Sequence, residues 1–265
     1  MSRGGNRPRL LCRSGLLFLL PWACLAGAAE PPAEPPARRI ALAILSALGE
    51  NARRPERPPG PAQTTGPRRL SGDPLADHLI RTACGAARAR IDTGTPPAET
   101  ARGLLIALGV ALDPSGLLRR HPIARALTGS TLTPEEAAGS QEALRKATLR
   151  GRLDALQHFA VAAALVALGG EPLALAAGLE KEALDAQGKD LGSGSGFSFA
   201  DLTADMAGIE FAKKVLGQTS ADLPVLLDRL AAEFRGADFV PGLDRWKDDP
   251  SECQGWKEFA GRFGS

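Results

Sequence analysis

Between Phe159 and Gly170 the chain carries no polar side chain, and a helix that is apolar on every side has to be buried. The run is about ten residues long before Gly169, roughly half of a bilayer span, so it predicts the central helix of a bundle. Gly169-Gly170-Glu171-Pro172 follows at once. Glycines close one helix and Pro172 suits the first turn of the next, so the two helices form an antiparallel hairpin.

That hairpin fixes the depth of the polar residues around it. His158 lies 12 residues before Gly170, while Glu182 and Asp185 lie 11 and 14 residues after Glu171. At about 1.5 Å per residue, all three sit roughly 16 to 21 Å from the turn. The second helix ends near Gln187, and a Gly- and Ser-rich loop, Gly188 to Gly196, leads into Phe197-Ser198-Phe199-Ala200-Asp201. A short return places Asp201 and Asp205 at the same end of the bundle. Asp154 with His158, Lys181 with Asp185, and Asp201 with Asp205 are each four residues apart, so each pair shares a helix face. The spacing predicts a polar cluster of one His, several carboxylates and a Lys, roofed by a flexible glycine loop.

The residues of that cluster have structural and chemical readings. His158 is a general base, a metal ligand or a buried ring bonded to a carboxylate such as Asp185 or Asp205. Ser198 with Asp201 three residues on reads as a capping-box-like helix start. Asp205 lies too far along its helix to cap it and is the stronger functional candidate. Lys181 complements a helix C-terminus, Glu182 beside it can simply be solvated, and Asp185 opposes the helix dipole there and needs a partner. Asp154 can be only an acid in a first turn. The Gly-Ser loop lacks a lysine in phosphate-loop arrangement and a preceding strand, so it reads as a connector.

Elsewhere the chain sets bounds. Arg3, Arg7, Arg9 and Arg13 precede the apolar run Leu16 to Leu20, and Ala26-Gly27-Ala28 offers a cleavage site, so residues 1–28 read as an export signal. Cys24 raises a lipid-anchored alternative, although Pro21 and Trp22 suit it poorly. Loss of residues 1–28 removes four arginines and no acid, leaving 28 basic against 30 acidic residues and a net charge of −2 in place of +2. That balance excludes bulk attraction to nucleic acid or an anionic membrane. Cys84 and Cys253 remain in the mature chain, where an oxidising compartment permits a disulfide. A metal or catalytic role for them lacks a partner at ligand spacing.

Residues 29–72 are rich in proline and read as a disordered linker, interrupted by the apolar island Ile40 to Leu48, a candidate docking helix. From residue 73 to 235 an Ala- and Leu-rich pattern predicts an all-α, irregular helical bundle. Its helices fall over about 74–91, 97–111, 134–149, 151–168, 172–186, 199–216 and 221–235. The tail, 236–265, is expected to clamp onto the domain through Trp246 and Trp256. His78 and His121 read as surface residues. No serine-hydrolase or zinc-protease motif is present.

Asp154-x3-His158-Phe159, Lys181-Glu182-x2-Asp185 and Gly194-Ser195-Gly196-Phe197-Ser198-Phe199-x-Asp201-x3-Asp205-x-Ala207-Gly208, in that order, resemble the YfiM-like family of bacterial periplasmic lipoproteins. The match spans about residues 151–216. It implies an envelope location and a shared polar constellation rather than an activity. The family's Lys after the first Asp is Ala155 here.

The leading expectation is therefore a non-enzymatic envelope protein, without a cofactor, whose cluster organises the bundle and a surface for an envelope or membrane-surface partner. The alternative is a hydrolase-like enzyme with one divalent metal ion on His158, Asp185 and Asp205 and with Glu182 as acid or base.

Overall fold

Proline opens four of the helices, where its missing N–H costs nothing and its fixed φ suits the first turn. In a computed structural model these are α1 (Pro36–Arg53), α2 (Asp73–Asp92), α3 (Pro97–Leu112) and, after α4 (Leu153–Gly169), α5 (Glu171–Asp190). Next come α6 (Phe199–Leu216), α7 (Asp222–Glu233), a 3-10 turn (Gly236–Asp238) and α8 (Trp256–Phe263). The structure describes residues 34–56, 68–113, 115, 116, 118, 142–242 and 254–263; among them there is no β-strand, only isolated bridges. The protein is thus an all-α bundle. No described helix is long and apolar enough to cross a membrane.

The expected linker needs correction. Ile40, Ala41, Ile44, Ala47 and Leu48 fall on one face of α1 and are buried against α2 and α3. Burial of each large side chain stabilises the fold by about 1.5–3 kcal/mol, which outweighs the proline-rich character of the flanks. Asn51 closes the element: its side chain donates to the Leu70 carbonyl at 3.0 Å and accepts from the Leu70 N–H at 2.7 Å. The apolar island is a core helix.

The α4 helix holds the centre, packing on α3, α5 and α6. Small residues bring the helices close. A Cβ on Gly208 of α6 would lie 2.2 Å from the Phe159 carbonyl oxygen of α4, and one on Gly109 of α3 would lie 2.5 Å from the Ala164 Cβ. At the hairpin Gly170 adopts φ 83° and its N–H caps the Val166 carbonyl at 2.8 Å. The α7 helix packs on α2, and Phe159, Phe211, Phe234 and Phe239 form a ring cluster with centroids 5.1–6.0 Å apart.

Other boundaries differ from expectation. The helix predicted over 134–149 falls largely outside the described residues, and its visible end stops early because Ala147 bridges to Gly72 and Leu149 to Arg152. The export signal, Cys24, His121, Trp246 and Cys253 also lie outside them. Cys84 is a free thiol in the core, its pKa pushed up to about 12 by burial. His78 is half-buried rather than on the surface. Trp256 is exposed; the tail docks through Gln254, which exchanges two backbone bonds with Phe197, and through Asp190, which accepts the Lys257 N–H at 2.9 Å.

Two substitutions check this packing by chemical denaturation. Ile44→Ala should cost about 2–5 kcal/mol, whereas a tether would tolerate it within about 0.5 kcal/mol. Gly208→Ala should cost about 1–3 kcal/mol through overpacking, despite alanine's better helix propensity.

Candidate functional site

The hairpin and the short return bring α4, α5 and α6 together at one end, and each delivers polar groups from an otherwise apolar face. His158 on α4 is 6% exposed, Glu182 on α5 is 0% and Asp205 on α6 is 7%. His158 Nδ1 lies 3.0 Å from Asp205 Oδ1, and its Nε2 lies 3.4 Å from Asp201 Oδ2. Glu182 accepts the Ser198 N–H on Oε2 at 2.8 Å and the Lys181 ammonium on Oε1 at 2.9 Å. Ser198 in turn caps α6 by accepting the Asp201 N–H at 3.1 Å. The capping box is therefore completed by Glu182 from the neighbouring helix, which frees the Asp201 carboxylate for other partners.

Asp201 spends that freedom on Arg152, whose guanidinium reaches its Oδ1 at 2.8 Å while also holding both oxygens of Asp154 at 2.8–2.9 Å. Asp154 sits at the rim of the cluster. Arg152 escaped the sequence reading, although a signal was there: a cation at the N-terminal edge of a helix opposes the dipole and asks for an acid. Asp185 is held by Lys181 and Ser195, each at 2.9 Å, and its backbone carbonyl accepts the Gly196 N–H at 3.3 Å. The Gly-Ser loop folds back tightly on the end of α5: a Cβ on Gly194 would lie 2.1 Å from the Asp185 carbonyl oxygen. All seven expected residues thus border one network.

The expected metal set changes. Among the described residues, the groups whose ligand atoms lie within 4.8 Å of one another are His158, Glu182 and Asp201. Asp185 is engaged by Lys181 and Ser195, and Asp205 meets the other ring nitrogen, so the ligand atoms that gather are not those of His158, Asp185 and Asp205.

Electrostatics follow from this crowding. Burial opposes charging of His158, but the hydrogen bond and charge of Asp205, joined by Asp201, outweigh it and raise the ring above its ordinary 6.5. Burial raises Asp205 and Glu182, offset in part by His158 for the first and by Lys181 and the Ser198 N–H for the second. Burial also works against Asp154 and Asp185, yet Arg152 pulls the first below the usual carboxylate range, and Lys181 with Ser195 pulls the second. Lys181, also opposed by burial, is raised by Glu182 and Asp185. One atom stands apart: Asp205 Oδ2 is buried without a hydrogen-bond partner, facing the bare Cα side of Gly178, where a Cβ would lie 2.6 Å from it.

No family model, curated protein or solved structure matches this chain.

These shifts set a pH profile for the metal-free protein. A ring with a raised folded pKa stabilises the fold below about pH 6.5 and loses that contribution as pH rises through the folded value. The raised Asp205 and Glu182 act in the same sense from lower pH. The lowered Asp154 and Asp185 stabilise above about pH 3.8 and are lost as pH falls. Thermal unfolding in chelator should therefore show greatest stability near roughly pH 4 to 5, with the midpoint falling as pH rises through the folded values of Glu182, Asp205 and His158. His158→Gln should flatten that alkaline fall; an unchanged slope would remove His158 as its source.

Proposed function

We propose that the chain is an exported, non-enzymatic protein of the bacterial cell envelope, in which the polar cluster pins α5 to α4 and α6 and leaves the outer face of α5 for an envelope partner. The observation that carries this reading is the contrast within α5. Only Ala174, Glu182 and Ala186 of its 20 residues are buried, while Leu173, Leu179 and Leu184 are exposed and Leu191 just beyond it is 84% exposed. A helix with so small an apolar seat depends on directional bonds, and Glu182 supplies one by accepting the Ser198 N–H of the α6 cap, with Asp185 accepting the Ser195 hydroxyl and Lys181 lying 4.0 Å from Asp201. Export is supported by the arginine-then-apolar start over 1–28 and by the resemblance to a periplasmic family over 151–216.

The hydrolase reading retains one supporting observation, the convergence of His158, Glu182 and Asp201. In the metal-free protein the ammonium of Lys181 engages Glu182, the residue assigned there as acid or base.

Expression in a bacterial host with osmotic-shock fractionation tests the location. The expected product is periplasmic and lacks residues 1–28 by mass; a membrane-bound form retained through Cys24 would favour the lipid-anchored variant, and a full-length cytoplasmic chain would contradict export. Leu184→Ser with Leu191→Ser should leave stability within about 0.5 kcal/mol of the parent, measured by urea unfolding. A larger loss would mean that these leucines serve the fold rather than a partner.

A further inference from the structure

The ring of His158 is buried and held more closely on one side than on the other. Nδ1 bonds Asp205 at 3.0 Å, whereas Nε2 has only a longer ion-pair contact with Asp201. Its neighbour Asp201 Oδ2, at 3.4 Å, is beyond the usual range for a good N–H···O bond. The separation does match another geometry. Two ligands on a tetrahedral ion with bonds of about 2.1 Å stand about 3.4 Å apart.

Charge points the same way. Of the five acids, Asp154 and Asp185 are partly exposed, whereas Glu182, Asp201 and Asp205 are buried and outnumber the two permanent cations, Arg152 and Lys181. A buried excess of acid favours a further cation. Asp205 already orients the ring, because a carboxylate on Nδ1 is what commonly fixes the tautomer and direction of a metal-bound imidazole. The Ser198 N–H holds Glu182 Oε2 and leaves Oε1 to Lys181. That lysine is 45% exposed, lies 4.0 Å from Asp201 Oδ2, and has a second partner in Asp185 nearer the surface. Its ammonium is a displaceable occupant.

We propose that His158 Nε2, one oxygen of Glu182 and one of Asp201 bind a divalent first-row cation, Zn2+ or Mn2+ in class, with Asp205 orienting the ring and Lys181 vacating the site. Mixed imidazole and carboxylate donors suit these ions. Binding of such an ion adds to the structural role of the cluster and does not require catalysis.

The test uses the mature chain, stripped of metal and titrated with Mn2+ and separately with Zn2+ by calorimetry and thermal melting. Mn2+ also permits detection of a coordinated imidazole nitrogen by pulsed paramagnetic resonance. One ion per chain is expected, with nitrogen modulation that disappears in His158→Gln. Asp205→Asn should weaken binding roughly 10- to 100-fold. Lys181→Met should tighten it about tenfold by removing the competing charge, even though it loosens the metal-free fold. That opposite movement of affinity and stability separates the proposal from a purely structural network, and it survives if His158→Gln fails to fold. Absence of saturable binding to both parent and Lys181→Met, binding unchanged in a folded His158→Gln, or weaker binding in Lys181→Met would each overturn it.

Discussion

The organising constraint of this fold is the burial of several carboxylates at one end of an apolar bundle. Removing a charge from water is expensive unless a partner is fixed in place, and here the partners come from three different stretches of chain. Arg152 precedes α4 and reaches α6; His158 on α4 also reaches α6; Glu182 on α5 takes the N–H of the α6 cap. None of these contacts forms unless the hairpin and the return after it are in register. The polar end therefore specifies the arrangement that the alanine-rich seams alone would leave open to sliding, since small apolar faces offer little shape to lock against.

The two ends of the bundle differ in kind. At the hairpin end a cavity of about 450 Å³ is bordered by Ala101 and Arg102 of α3, Val166 to Gly170, and Leu223 of α7. At the other end the helices are bonded together and the Gly-Ser loop is packed down. Rigid chemistry and open volume are thus separated by the length of α4. The α5 helix spans both regions with the smallest buried face of the long helices, which makes it the element most dependent on the polar end.

Much of this was legible in the sequence. The glycine-proline reversal fixed the equal depth of His158 and Glu182, and the four-residue spacings placed Asp201 and Asp205 on one face. Legibility failed where long-range partners overrode local pattern. Proline-rich flanks hid α1, whose Ile40, Ile44 and Leu48 needed α2 and α3 to become core. Asp185 resembled a ligand until the backfolded loop supplied Ser195. Glu182 resembled a solvated side chain, yet it is the most deeply buried acid of the cluster, because the α6 cap required an acceptor that only α5 could provide.

The central claim is that buried groups on α4 and α6 are energetically joined across the bundle. A double-mutant cycle on His158→Gln and Asp205→Asn, read by urea unfolding in chelator, measures that link directly. A coupling of about 1–3 kcal/mol is expected for one shared network. Additivity to within about 0.5 kcal/mol would contradict the account.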